Sequence, residues 1–558
     1  MRAAPRVAVG DAWVDPRDVA GITRGVGAKA LTLTVHAFPA KRGLWRRRRR
    51  EGGTRVDREV SFETAVDLIA ARDRLRGECF PTNSLWLDPA NDAKKIMVVV
   101  NPAAGGGKGA RLYETHVEPV LRCAFGEMEA PSRASRRATN RRDGRLELVV
   151  TEARGDAHAA CAALDLDAYA AVVCVGGDGT LAEVRNGLAA RAGDDAERRR
   201  AASFPIGVIP AGSGNAVARS LAHFANEPHD ATSAALAVAR GGTRALDAAE
   251  VFVPNGAESE SAAAAAADAD DDADDEARTA MRSLLSLSWG LFADIDIESE
   301  RFRWLGGARF TAQAIVRILF PRKYRGAKLR FKPLRCVGDH SQNEPQNGPT
   351  RAEDVRVLGR ETSFDGSAAP LAARRAATRG SGSETSVPVT DDPRLAKEGW
   401  LELRDSGDIR GVWALNVPWG AEDMHAAPAA EPSDGAYDVL VIRGTSRLAM
   451  LGLLLTFDAG GHVDHPAVTY LKCSAFELTP GRSDGNRGGY VAVDGELVAE
   501  ARDSLKKKTS SDAFESETDH PPGSPATWRV PYGPTRVRVR AGGARVFAAG
   551  GAAAAEAA

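Results

Sequence analysis

What the sequence lacks narrows it first. Its 558 residues include six cysteines, at Cys79, Cys123, Cys161, Cys174, Cys336 and Cys473, with no Cys-x-x-Cys among them. That scatter excludes a zinc or disulfide framework and fits a reducing compartment. No apolar run approaches the ~20 residues that cross a bilayer. The strongest such stretch lies at Leu448–Phe457. The opening Met1-Arg2-Ala3-Ala4-Pro5 does not lead into the continuous apolar core of a signal peptide. A cationic excess is missing too: Lys+Arg is 74 and Asp+Glu is 75. That balance argues against a nucleic-acid partner. The absences together predict a cytoplasmic protein without a transmembrane segment; if it meets lipid, it must do so from the water side, peripherally.

What is present is a long chain with 43% hydrophobic residues, enough for two or more globular units plus linkers. Four segments carry too few large apolar side chains to offset the entropy of ordering them. These are 127–145, 255–280 (an acidic Ala/Asp/Glu run), 337–395 and 503–527, all read as insertions in loops. Between them, strands alternate with helices. Ile96–Val100, Leu146–Val150, Ala171–Val175 and Ile206–Ile209 are short apolar runs of buried-strand type. Helical stretches follow at Ala110–Phe125, Asp156–Leu164, Thr180–Ala190 and Asn215–Leu221. That alternation predicts an α/β domain over 95–250, an open, mostly parallel sheet with helices on both faces.

From 281 to 550 the pattern is β-rich: Ser283–Trp289, Lys328–Lys332, Gly411–Val417, Val439–Ile442, Thr469–Glu477, Gly489–Val493 and Thr535–Ala541. It predicts a mainly antiparallel β-sandwich, with one helical stretch at Leu305–Phe320. Residues 1–90 read as an accessory β/α region. Leu31–Phe38 is a strand, Phe62–Leu75 a helix, and Arg46–Arg50 a basic tip.

Three glycine-rich turns fall directly after successive strands. The first is Asn101-Pro102-Ala103-Ala104-Gly105-Gly106-Gly107-Lys108-Gly109. Glycine lets backbone N–H groups approach an anion, and the following helix adds positive potential. It is not a Walker A loop, because Lys108 precedes Gly109 and not Ser or Thr. The second, Gly176-Gly177-Asp178-Gly179-Thr180, sets one carboxylate among small neighbours at a strand end, where open α/β sheets bind ligands. Its bland alternative is an Asp that caps the next helix. Glu183 lies one turn further on. The third is Pro210-Ala211-Gly212-Ser213-Gly214-Asn215. Val217 stands where a dinucleotide fingerprint needs glycine. The first turn alone is weak; three in series on one edge of one sheet are much more specific than any one of them.

Two more pieces lie in the β-rich half. Ser288–Phe310 mixes carboxylates and arginines with aromatics, either a phosphate- and cation-binding stretch or a salt-bridged surface. Val493-Asp494-Gly495-Glu496 reads locally as a hairpin turn.

Taken in order, these pieces resemble the sphingosine kinases, within the diacylglycerol-kinase-like catalytic superfamily. Ser288–Phe310 and Gly212-Ser213-Gly214-Asn215 carry the likeness to that branch. Asn416–Met424 and His465-Pro466-Ala467-Val468 resemble its plant-type members. The resemblance implies a Rossmann-like α/β nucleotide-binding domain followed by a lipid-binding β-sandwich domain. It also implies transfer of the ATP γ-phosphate to the primary hydroxyl of a sphingoid long-chain base. Asp178 then corresponds to the general base. Asn101, Pro102, Ala103, Gly106, Gly107, Lys108, Thr151, Glu152, Gly155, Glu183, Gly212, Ser213, Gly214, Arg303, Arg309, Asp494, Gly495 and Glu496 correspond to ATP positions. Gly176, Gly177, Asp178, Gly179 and Asp296 correspond to substrate positions, and Leu291 and Phe310 are candidates for the tail slot. Mg²⁺ is expected to ride mainly on the ATP phosphates. A diacylglycerol or ceramide kinase is the alternative enzyme, and a non-catalytic lipid-binding scaffold the alternative class.

Overall fold

The computed structural model describes residues 7–9, 11–24, 31–39, 41–42, 48–49, 55–125, 142–143, 145–191, 193–252, 279–305, 308–334, 389–390, 395, 399–403, 409–483, 489–500 and 532–548. The acidic run before Thr279 and the insertion 503–527 lie outside them, as do most of 127–145 and 337–395. Two compact units emerge. One comprises Met1–Leu246 with the C-terminal Gly542–Ala558, the other Asp247–Phe514 with Arg529–Ala541.

In the first unit the apolar runs form a parallel sheet in the order Leu146–Val150, Lys95–Val100, Tyr169–Gly176, Pro205–Pro210. Every residue of Tyr169–Gly176 is buried, as expected of a central parallel strand covered on both faces. The first strand in sequence therefore lies between the second and the third. Right-handed crossovers then send the helix after Lys95–Val100 to one face and the next two to the other. Helices Asp156–Ala162 and Asp178–Ala189 do pack together, as do Glu118–Phe125 and Ala231–Arg240. The point where the strand order reverses, between Lys95–Val100 and Tyr169–Gly176, is where such sheets bind ligands.

The helix expected over Ala110–Phe125 is interrupted by a wide π-type turn at Tyr113–Val117. Pro119 explains it: the residue has no N–H for the α ladder, and its ring displaces the carbonyl four residues back. Helices Asp195–Ala202 and Ala231–Arg240 were not legible as periodic segments.

The accessory region belongs to this first unit. Val19–Arg24, Thr32–Ala37 and Val56–Ser61 form an antiparallel sheet against helix Ala65–Cys79. The helix starts three residues later than Phe62 because Thr64 caps it, accepting from the Asp67 N–H at 3.2 Å. Of the Arg46–Arg50 run, the backbone of Arg48–Arg49 is described, paired with Lys41–Arg42.

The second unit is antiparallel. Tyr437–Arg443 lies between Ile409–Leu415 and Val468–Thr479. Ser286–Gly290 pairs with both Ile409–Leu415 and Tyr490–Val493. Helix Leu291–Ser299 leaves directly from the end of Ser286–Gly290, although its Asp294-Ile295-Asp296-Ile297-Glu298 alternation reads as a strand. A second helix, Ala308–Leu319, packs against it and against Arg447–Leu454. The described cysteines, Cys79, Cys123, Cys161, Cys174 and Cys473, are buried free thiols. Cys336 lies outside the described residues.

Candidate active site

All three glycine-rich loops leave the carboxyl ends of adjacent parallel strands. The ladder runs to its last rung: Asn101 N–H donates to Val175 O (3.0 Å), Thr151 N–H to Val100 O (3.0 Å) and Ala211 N–H to Gly176 O (2.9 Å). From there the loops touch one another. Gly105 sits at φ +59°, and a methyl there would lie 2.5 Å from Ala211 O. Gly212 is equally close, for a methyl would meet Gly177 Cα at 2.5 Å. Only glycine fits such backbone contact.

Asn101 stands at the reversal point. Its Nδ2 donates to Thr180 Oγ1 at 3.0 Å, while its Oδ1 accepts from Ala103 N–H at 3.0 Å. It thus ties the first loop to the second. Gly106, Gly107 and Lys108 are exposed, and nothing lies within 4 Å of where a side chain on Gly106 or Gly107 would stand. That leaves their backbone open to an anion, with Lys108 beside it. Glu183 Oε2 accepts from Gly155 N–H at 3.1 Å, so helix Asp178–Ala189 also holds the end of the Thr151–Gly155 loop. Asp156 Oδ2 accepts from the Glu152 and Ala153 amides and closes that loop from within. Thr151 is buried, Glu152 and Ser213 are exposed, and Gly179 is half-buried.

Asp178 is the first residue of its helix, but its carboxylate does not cap that helix. Oδ2 accepts from Ala216 N–H at 3.0 Å and Oδ1 from Val217 N–H at 3.1 Å. It therefore caps the neighbouring helix, Ala216–Ala225. The side chain is half-buried and not freely exposed as its strand-end position suggests. Burial raises its pKa, and the two amides pull it back. The result is an accessible carboxylate of fixed orientation with enhanced basicity.

The second unit holds the remaining candidates. Asp494 is buried and saturated: Oδ1 accepts from Ser283 Oγ (2.5 Å), Leu285 N–H (3.0 Å) and Ser286 N–H (2.9 Å), and Oδ2 from Leu284 N–H (3.1 Å). It knots the turn to the start of Ser286–Gly290, while Gly495 is exposed and Glu496 half-buried beside it. A methyl on Gly495 would lie 3.7 Å from Asp296 Oδ2, so the half-buried Asp296 faces this turn. Arg309 ion-pairs with Glu300 and lies 4.5 Å over the Phe310 ring. The Arg303 side chain lies outside the described residues. Leu291 packs on a core of Phe292, Leu453, Phe457 and their neighbours.

Sequence reasoning missed the carboxylates next to Asp296. Asp294 is buried, accepting from Tyr324 Oη at 2.6 Å and lying 3.2 Å from Arg322. Glu298 binds Arg322 at 2.7 Å and pairs with Arg317. Helical spacing at 294 and 298 was the available signal.

An open α/β unit with three interlocked glycine-rich loops and a pinned carboxylate, in a chain that also carries a β-sandwich unit, defines a nucleotide-dependent phosphotransferase. Residues 95–251 match the diacylglycerol kinase catalytic domain, and residues 409–508 the YegS C-terminal NAD kinase beta sandwich-like domain. Sphingosine kinase 1 of Arabidopsis thaliana is 33% identical over 418 residues, 74% of this chain and 70% of that protein. Sphingosine kinase 2 of the same plant is 30% identical, covering 82% and 78%. Sphingosine kinase 1 of Homo sapiens is 29% identical, covering 74% and 90%. The chain belongs to the sphingosine kinase family.

Proposed function

We propose that this protein is a lipid kinase that transfers the γ-phosphate of ATP to the primary hydroxyl of sphingosine or a related long-chain base. The observation that carries the chemistry is the Asp178 carboxylate, oriented by two helix amides at the carboxyl edge of the parallel sheet and flanked by open glycine loops. Asp178 takes the hydroxyl proton as the substrate oxygen bonds to the γ-phosphorus. The bond to the bridging oxygen breaks, and ADP leaves. Such transfers depend mostly on positioning and charge neutralisation.

The backbone of Gly106 and Gly107, with Lys108, grips phosphate oxygens, as do Asn101 to Ala103. Thr151, Glu152, Gly155, Glu183 and Gly212 to Gly214 complete the nucleotide contacts. Arg303, Arg309 and the Asp494-Gly495-Glu496 turn are assigned to ATP. The saturated Asp494 carboxylate acts there through the backbone it fixes. Gly176, Gly177, Gly179 and Asp296 are assigned to the lipid head group, with Asp296 meeting its amine, and Leu291 and Phe310 to the tail.

Among the described residues no three His, Cys, Asp or Glu side chains cluster as a metal cage. A Mg²⁺ would be held mostly by the phosphate oxygens of ATP, as is usual for that ion, and would there neutralise charge developing on the transferred group. Membrane contact is assigned as peripheral; among the described residues no helix is long and apolar enough to cross a bilayer. Six large apolar side chains are instead exposed on or beside two packed helices: Ile315, Leu319, Phe320, Leu448, Leu451 and Leu455.

The test is a labelled-ATP assay of the full chain against sphingosine, ceramide and diacylglycerol. Label should enter sphingosine preferentially. Asp178→Asn should lower kcat by roughly 10²–10⁴ with the fold retained. Preference for a lipid without an amine would reject the substrate assignment, and near-wild-type turnover by Asp178→Asn would reject the base.

A further inference from the structure

The two amides that hold Asp178 belong to a helix that starts in the third loop, so something must aim that helix. Asn215, its cap residue, is 7% exposed and adopts φ +49°. Asparagine tolerates this left-handed conformation better than most residues. Both ends of its amide are used on a single partner. Gly212 N–H donates to Asn215 Oδ1 at 2.8 Å, and Asn215 Nδ2 donates to Gly212 O at 2.9 Å. The Gly212–Asn215 turn cannot open without breaking both bonds.

That closed turn meets the base at two points. Its first residue, Gly212, contacts Gly177, which immediately precedes Asp178. Its last presents the Ala216 and Val217 N–H groups to the two carboxylate oxygens. Gly214 lines the same spot, for a methyl there would stand 3.2 Å from Asp178 Oδ2. One buried side chain thus sets both the main chain before the carboxylate and the donors in front of it.

We propose that Asn215 is a positioning residue for the reaction. Its amide clamps the Gly212–Asn215 turn so that the first amides of helix Ala216–Ala225 hold the Asp178 carboxylate where it receives the substrate proton. The inference rests on the reading of Asp178 as general base. Neutral amides suit this task. A cation in their place would hold the carboxylate firmly ionised and weaken it as a base, whereas neutral N–H groups orient it and still leave oxygen lone-pair capacity for the hydroxyl.

The experiment is a double-mutant cycle on the full chain with Asn215→Gly, Asp178→Asn and the double variant. Glycine accepts φ +49° and removes only the clamp. Asn215→Gly should lower kcat about tenfold or more at saturating ATP and sphingosine, within the range of general-base effects. The acidic limb of its pH–kcat profile should move to higher pH, because a carboxylate that loses donors holds its proton longer. In the Asp178→Asn background the same change should cost less than about twofold, since the group it positions is gone.

An equal cost in both backgrounds, or a raised KM for ATP with the limb unmoved, would overturn the proposal and leave Asn215 a shaper of the nucleotide loop. Near-wild-type turnover of Asp178→Asn would instead bring down the base assignment itself. Should Asn215→Gly not fold, Asn215→Asp enters the same cycle under the same criterion. It tolerates the backbone and keeps the bond from the Gly212 amide.

Discussion

Three buried or half-buried aspartates in this chain show how environment divides one side chain among different jobs. Asp178 takes two donors from the neighbouring helix and stays half-buried. Asp494 has four donors from the chain and no capacity for a ligand. Asp294 is withdrawn from water among Arg322, Arg317 and Tyr324. Burial pushes Asp294 up to about 6, against the pull of Arg322, the Tyr324 hydroxyl and Arg317. The consequence for stability has a definite sign. In the unfolded chain this carboxyl titrates near 3.8, so between about pH 4 and 6 the folded state binds the extra proton. Its contribution is therefore fully present below the unfolded value and is lost as pH rises through about 6. Thermal unfolding of the wild type and of Asp294→Asn should show it. The difference in Tm, wild type minus variant, should fall from pH 4 to 6 and stay level from 6.5 to 8. A difference independent of pH would mean that the carboxyl is ionised throughout.

The decisive elements are the strand-end loops, and their glycines do two separate things. Gly106 and Gly107 leave space, while Gly105 and Gly212 allow contact. Gly212→Ala should therefore force the third loop off Gly177, since the added methyl would lie 2.5 Å from a backbone atom. Overpacking of that kind costs about 1–3 kcal/mol. ATP use should suffer with it, so a lower Tm and a raised KM for ATP are expected together. An alanine variant with both unchanged would show that the loops part freely. The loops' placement was legible beforehand because each glycine cluster directly follows a buried apolar run, and strand ends in an open sheet share one edge. Their interlocking was not legible. Gly177 against Gly212 is a contact across 35 residues of sequence that no local pattern encodes. The same limit hid the partner of Asp178, which reads as a cap for its own helix and in fact caps another. Helix Leu291–Ser299 was obscured differently, because its alternating Ile and Asp carry a two-residue period while Phe292, Ala293 and Asp294 pack inward. In the β-rich half the longer apolar runs, such as Ile409–Leu415, Tyr437–Arg443 and Val468–Thr479, were legible, while the short strands Leu401–Leu403 and Glu496–Glu500 were not.

At the scale of the whole molecule, the peripheral membrane contact proposed above calls for an exposed apolar surface, and two packed helices carry one. Helices Ala308–Leu319 and Arg447–Leu454 share a core through Ile318, Met450 and Leu453. Their outward side chains are strongly exposed for their type: Leu448 is 83% exposed, Leu455 74% and Phe320 70%. Arg447, Lys323 and Lys328 are exposed close by in sequence, a composition suited to an anionic headgroup layer. Full burial of a leucine is worth about 1.5–3 kcal/mol. Leu448→Glu with Leu455→Glu should therefore reduce co-sedimentation with phosphatidylserine-containing vesicles by about tenfold or more. Turnover of detergent-dispersed sphingosine should be unaffected, because neither leucine contributes to the assigned site. Added salt should weaken the vesicle binding of the parent chain as the cationic rim is screened. Vesicle binding that survives both glutamates would move the membrane contact elsewhere on the molecule. Equal loss on vesicles and in detergent would show that this helix pair serves the integrity of the sandwich unit instead of its docking.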